Sequence, residues 1–464
     1  MHINMSSKSC SEHIKSTNNL YRLILQIPRR LHNNILFIVI ITGFFICPFI
    51  LHSDYLVFAQ VPPTVKDDKL EVSLVATGIS SPTSMAFLGP NDILVLEKNE
   101  GKVLRIVNGS IMSQPLLDVN VATKEERGML GIAVAKHQEQ NNQRTYLFLY
   151  FTEAPTKDGD DVSGHKQPLG NRLYRYELVD NKLINPKLLL DLPLYPAGFH
   201  NGGKIAIGPD NNIYIVVGDG QGHQSKAHNY LNGTEPDGRG GILRVRQNGA
   251  PADKGILGDS YPLKLYYGYG IRNSFGIGFD PVTGILWDTE NGDIFGDEIN
   301  LVLPGFNSGW KDIQGLWEPD YSHKTKAGAP IGKINLDPEN LVDFNEKGKY
   351  SPPEFTWKKP VGPTAIKFLP NDKLGKEYKN DLFVGDVNNG YIYHFDLNKD
   401  RTELVLAGKL SDKIAETDEI EDVVFGQGFG GITDIEVGPY DGYLYVVSIE
   451  EGKIFKIVPI NQDD

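Results

Sequence analysis

From Val72 to its C-terminal end the chain alternates apolar and polar residues over short stretches, and a loose unit recurs. Each unit has a Gly/Asp-Pro-Asn/Asp turn, an alternating strand, a polar turn with glycine, and a second alternating strand. One copy is Leu88–Leu96 with Gly101–Ile106, and another is Ile207–Val216. A third is Phe279–Trp287, and a fourth runs from Phe368–Asp372 into Asp381–Val384 and Gly390–Phe395. A fifth is Val437–Val447 with Gly452–Ile457, and a degenerate sixth joins Gly131–Val134 to Thr145–Phe151. Alternation at period two marks strands, and units of about 45 to 90 residues point to a radial array rather than a sandwich. The pattern predicts an all-β fold, a six-bladed β-propeller in which each blade buries its faces on its neighbours. No long stretch with helical periodicity follows the leader.

The N-terminal part departs from this pattern. Lys8, Lys15, Arg22, Arg29 and Arg30 precede an almost wholly apolar run, Ile35–Leu51, and small or apolar residues lead to Ala59. This is the layout of a signal peptide or of a membrane anchor helix, with the positive flank kept inside. The expected organisation is therefore a leader over 1–59, a Pro-containing linker over 60–70 and one propeller domain over 71–464. The domain would be extracytoplasmic, either secreted or anchored to the outer face of the cytoplasmic membrane. Any membrane contact would be through the uncleaved leader.

Composition narrows the functions. The only cysteines, Cys10 and Cys47, lie in the leader, so the domain has no disulfide, thiolate metal site or cysteine nucleophile. Net charge is −13, from 46 Lys+Arg against 59 Asp+Glu. Such a balance repels phosphates and argues against a nucleic-acid partner.

Four glycine-rich polar stretches break the blade pattern: Glu125–Gly131, Phe199–Lys204, Val217–Gly222, and Gly270–Gly276 leading to Thr289–Asn300. A propeller gathers such loops around one end of its channel. His200 is the natural general base. Asp219 follows after a strand, turn and strand, where a carboxylate would fix the imidazole tautomer. The acids Glu290, Asp293, Asp297 and Glu298 offer hard oxygen donors suited to calcium, though not at EF-hand spacing. Taken alone, these signals also fit a loop histidine, a turn aspartate and a charged connecting loop.

In order and spacing, the segments Arg127–Gly131, His200–Lys204, Gly208–Asp210, Gly218–Asp219, Gly241–Val245, Gly270–Asn273, Gly296–Asn300 and Pro304–Trp310 resemble the glucose/sorbosone dehydrogenase family. That family includes soluble quinoprotein glucose dehydrogenases and aldose sugar dehydrogenases. The similarity spans about Val72 to Ile460. It implies a six-bladed propeller that binds pyrroloquinoline quinone (PQQ) and calcium and oxidises a sugar, passing electrons to an external acceptor. His200 would take the anomeric hydroxyl proton, Asp219 would orient it, and Arg272 would stabilise charge on the quinone. Glu126, His200, Arg272, Asn273, Asn291 and Asn388 fall at cofactor-binding positions. Gly292 and Asp293 would face the catalytic calcium, while Glu298 and Ser308 fall at a second, structural calcium site.

The chain also departs from the family pattern. Glu126 stands where the family has glutamine, and Ser308 where it has tyrosine. Asn388, Gly431 and Thr433 stand where a lysine and two arginines are expected to hold the carboxylates of PQQ, with Lys204 and Arg239 as candidate replacements. Two other functions fit the same residues: a binding propeller that has lost its cofactor, and a metal-dependent lactonase built around His200.

Overall fold

The computed structural model describes residues 62–460 apart from 140–141, 195, 325–329 and 334–337. The expected leader (Ile35–Leu51, both cysteines and Ala59) lies outside the described residues. Among the described residues the sole α-helix is Asp160–Ser163, and no helix is long and apolar enough to cross a membrane.

The chain folds as an all-β propeller. Its strands form six sheets of four to six strands, with one two-stranded ribbon apart from them (Glu318–Lys324 and Pro330–Lys333). The innermost strands are Pro82–Gly89, Met129–Glu139, Ile205–Ile207, Gly276–Phe279, Pro363–Phe368 and Ile432–Val437. Each touches the next, and the last touches the first, so they line a closed channel. Each of the six repeat copies in the sequence falls in a different sheet.

The alternation follows from this packing. In Asp92–Glu97, Ile93 and Val95 pack against the sheet on one side, while Leu94 and Leu96 pack against the sheet on the other. In Ile213–Val217, the residues Ile213, Ile215 and Val217 face one neighbour, and Tyr214 and Val216 the other. Six apolar clusters result, one at each contact between neighbouring sheets. Each strand is thus buried on both faces, which no single sheet could achieve alone.

The ring is closed by both ends of the described chain: Leu70–Thr77 pairs antiparallel with Lys453–Pro459. The segment 60–70, expected to be a linker, is partly built into the fold. Thr64 and Val65 pair with Gln427 and Gly426, Val65 packs on the apolar cluster below, and Lys66 N–H bonds Phe425 O at 2.8 Å. An apolar residue after two prolines has served as an edge strand. The sheets are also less uniform than the repeat suggests, since Phe306–Asn307 with Lys349–Tyr350, and Ile414–Ala415, extend two of them by parallel pairing.

Candidate active site

The four glycine-rich stretches converge because their backbones meet at glycines. A Cβ on Gly218 would lie 2.5 Å from His200 O and 3.0 Å from Arg272 O. Only glycine allows the loops of His200, Asp219 and Arg272 to touch there. The next residue completes the junction, Asp219 N–H bonding Arg272 O at 2.8 Å. Gly202 has φ +60°, and a Cβ on it would be 2.6 Å from Val216 O.

At one end of the channel these loops surround a cavity of about 540 Å³. His200, Arg272, Asn273, Asn291, Asn388 and Glu126 all line it, as do Gly292 and Asp293. Asp219 stands behind His200, with Oδ1 2.5 Å from His200 Nδ1. Asp219 is fixed twice more: its Oδ2 accepts from Trp310 Nε1 at 2.8 Å, and its Oδ1 from Gln221 N–H at 2.7 Å. Burial works to raise the Asp219 carboxyl. The hydrogen bond and charge of His200, with the charge of His228, outweigh it and hold the group below the usual carboxylate range. With Nδ1 turned to an ionised carboxylate, Nε2 is the ring nitrogen free to accept a proton. His200 is 6% exposed and sits at φ +59°, in the left-handed region. Its N–H bonds Glu126 Oε2 at 2.6 Å, and the same carboxylate accepts from Asn273 Nδ2 at 3.2 Å. Glu126 therefore ties His200 to Asn273.

Arg272 is held from several sides. Its guanidinium donates to Asn291 O at 3.0 Å, Gly292 O at 2.9 Å and Asp293 Oδ1 at 3.1 Å, and lies 5.4 Å from the Trp310 ring centre. Its backbone N–H bonds Glu290 Oε1 at 2.6 Å. The carbonyl of Gly292, expected to face calcium, is thus turned to Arg272, and so is the side chain of Asp293.

Glu298 and Ser308 do not line the cavity. They lie buried beneath it, with Ser308 Oγ 2.6 Å from Glu290 Oε2 and 3.2 Å from Glu298 Oε2. Asn300 Nδ2 donates to Glu298 at 3.0 Å, and Gly315 N–H donates to it as well. Burial, as the main cause, pushes the Glu298 carboxyl up to about 7 and Asp288 up to about 8. Glu290 is held well above its ordinary range by burial and by the charges of Glu298 and Asp288. Both Asp288 oxygens, Asn300 Oδ1 and the Tyr350 hydroxyl are buried without a hydrogen-bond partner. Tyr350 lies over Gly309, where a Cβ would be 3.1 Å from the ring. It thus brings a phenol beside Ser308, where the resemblance expects a tyrosine.

The expected cations are absent from the cavity in three ways. Asn388 and Thr433 line it as neutral groups. At Gly431 a Cβ would sit 3.1 Å from Ile449 and from Val387, so a larger side chain there would need its neighbours to shift. Neither candidate replacement is available. Arg239 forks onto Asp237 away from the cavity. Lys204 reaches the floor but is paired with Asp434 and Glu436. Sequence reasoning passed over two residues, Trp310 behind Asp219 and Lys98 on the wall. Trp310 closes the Pro304–Trp310 motif, whereas Lys98 lies in the turn after an ordinary blade strand, Asp92–Glu97, with no signal to single it out.

The glucose/sorbosone dehydrogenase family model matches residues 79–456. The chain belongs to this family. It is 27% identical over 425 residues to the aldose sugar dehydrogenase YliI of Escherichia coli K12, covering 90% of this chain and 99% of that relative. It is 26% identical to quinoprotein glucose dehydrogenase B of Acinetobacter calcoaceticus, covering 74% and 81%. Among solved structures, the apo form of the soluble E. coli aldose sugar dehydrogenase shares the fold with a TM-score of 0.62 and 22% identity, covering 84% of this chain and 100% of that one. The PQQ-bound aldose sugar dehydrogenase of Streptomyces coelicolor gives a TM-score of 0.58 at 21% identity, covering 86% and 99%.

Proposed function

We propose that this family member, with each of its six sheets counted as one blade, is an exported PQQ-dependent aldose dehydrogenase that works outside the cytoplasm. The observation that carries this reading is the His200–Asp219 pair, 2.5 Å apart, set in a cavity wall beside Arg272 and Asn273. The polar wall suits a quinone: Arg272 Nε and Asn273 Oδ1 are both buried without a partner, one a donor and one an acceptor. Arg272, Asn273, Asn291 and Glu126 would hold it. When bound, PQQ supplies the two-electron acceptor for the hydride of the sugar's anomeric carbon.

The remaining chemistry belongs to the protein. His200 Nε2 takes the proton of the anomeric hydroxyl, and Asp219 balances the imidazolium through Nδ1. Such general-base assistance contributes roughly 10²–10⁴-fold. Trp310 and Gln221 keep Asp219 from turning away, so the base is aligned before the sugar arrives. The electrons then pass to an external acceptor.

A calcium ion is assigned to the buried cluster around Glu290, Glu298 and Ser308. The donors are all hard oxygens, and beside them both Asp288 oxygens, Asn300 Oδ1 and the Tyr350 hydroxyl lack partners. Tyr350 supplies the phenol that Ser308 lacks.

The test is reconstitution of the purified protein with PQQ and calcium, following the quinone absorbance and aldose-dependent dye reduction. Saturable quinone binding with sugar-dependent turnover is expected. Failure to bind PQQ at any concentration would overturn the reading. That result would favour the second reading, a binding propeller without cofactor, for which Asn388, Gly431 and Thr433 already speak.

A further inference from the structure

Three cationic side chains line the cavity: Lys204, Arg272 and Lys98. Two are already neutralised by carboxylates. Lys204 is bound to Asp434 and Glu436, and Arg272 to Asp293. Lys98 differs. Its ammonium donates to Glu125 O at 2.8 Å and to Asn99 Oδ1 at 3.2 Å, both uncharged acceptors. Among the described residues it forms no ion pair. It is half-buried, and that burial lowers its pKa despite the more distant charges of Glu126, Asp161 and Glu125. A partly desolvated cation on a cavity wall, bonded only to neutral oxygens, is matched by an anion brought by a ligand.

Its position matters as much as its charge. Lys98 N–H bonds Ser81 O at 3.1 Å, and Thr433 Oγ1 donates to Pro82 O at 2.9 Å. These two carbonyls are consecutive, so Lys98 stands one strand away from Thr433, at which an arginine was expected. The strand before it, Asp92–Glu97, delivers Lys98 at its end, where it lines the cavity. On the far side, Glu126 lines the same wall.

We propose that Lys98 is a cofactor-binding residue that receives a carboxylate of PQQ from the first sheet, replacing the cations that this chain lacks at Asn388, Gly431 and Thr433. The inference rests on the quinone reading above. It accounts for how a tricarboxylate can be held by a cavity whose fifth and sixth sheets offer no charge. A charge-assisted hydrogen bond of this kind corresponds to roughly ten- to hundredfold in affinity.

The experiment titrates PQQ itself, in the presence of calcium, against the wild type and the variants Lys98→Ala, Lys98→Arg and Lys98→Ala/Thr433→Arg. Binding is read from quenching of tryptophan fluorescence and from the quinone absorbance, without added sugar. Lys98→Ala should weaken binding about ten- to hundredfold and make it less sensitive to salt. Lys98→Arg should stay within a few-fold of the wild type. The double variant should recover part of the loss, since Thr433 faces the same region from the neighbouring strand. Unchanged melting temperatures without ligand separate these effects from folding. If the wild type binds PQQ and Lys98→Ala binds it equally well, the inference is overturned while the quinone reading stands. If the wild type does not bind PQQ, both fall.

Discussion

Burial holds the Glu298 carboxyl near 7 in the folded protein, so calcium and pH should act on stability together. Glutamate in an unfolded chain titrates at about 4.3. Below that value both states carry the proton and Glu298 contributes its full stability. As pH rises from about 4.3 towards 7, the unfolded chain releases the proton and the folded one keeps it, so stability falls. Over this window one such group costs about 4 kcal/mol, or a few degrees of melting temperature in a domain this large. Asp288 and Glu290 are raised too and add to the same slope. In chelator, the melting temperature of the wild type should therefore decline between pH 5 and pH 8. Calcium requires ionised ligands, so its stabilising effect should grow over the same range and flatten the decline. Glu298→Gln should reduce the slope in chelator, whatever constant offset the amide introduces, and should abolish the response to calcium. The measurement is thermal unfolding by circular dichroism at several pH values, with chelator or calcium. A wild type with the same slope as Glu298→Gln and no response to calcium would refute the reasoning.

Two further outcomes follow from the geometry around the base. His200→Ala should lower kcat by roughly 10²–10⁴-fold while leaving PQQ affinity nearly unchanged in the spectral titration; undiminished sugar oxidation would remove His200 from the mechanism. Asp219→Asn keeps an oxygen near Nδ1 but loses the charge, so kcat should fall by about 10²–10⁴-fold. An Asp219→Asn enzyme that oxidises sugar as fast as the wild type would make Asp219 a structural residue only.

The fold was legible because the propeller writes itself as alternation. Ile93 and Leu94 face opposite neighbours, and so do Ile213 and Tyr214, so each strand must be apolar at nearly every position between its turns. The His200–Asp219 pair was legible for a related reason: two antiparallel strands, Ile205–Ile207 and Ile213–Val217, separate them and bring the second back beside the first. The lead-in was not, because Thr64–Val65 pairs with residues more than three hundred and fifty positions away, and local pattern carries no such information. The partner of the Gly292 carbonyl was not legible either, since its approach to Arg272 exists only in space. Lys98 and Tyr350 are the sharper lesson. Lys98 lies in a turn after an ordinary strand and Tyr350 in a two-residue edge strand, and each stands in space beside a position where the resemblance expected its chemistry. Motif spacing records where a group sits in the chain, whereas a closed ring lets neighbouring strands supply the same group from elsewhere.

The channel explains why the site opens at one end only. Lys204 lies at the boundary between the cavity and a second one of about 360 Å³ further along the channel, and it lines both. It is bonded to Asp434 and Glu436, while Lys367 binds the other oxygen of Glu436. Asp434 is also fixed by Ser84 Oγ at 2.8 Å and Met85 N–H at 2.9 Å, so the layer ties the fifth and sixth sheets to the first and third. Two lysines and two carboxylates sum to zero, and the floor therefore presents no net charge to a ligand above it. A buried network of this kind is costly to break, since removing one partner strands another charge. Lys204 cannot leave Asp434 for a cofactor carboxylate without that cost. The positive field in the cavity must therefore come from its walls, where Arg272 is already shared with Asp293, and Lys98 is the cation still to be matched.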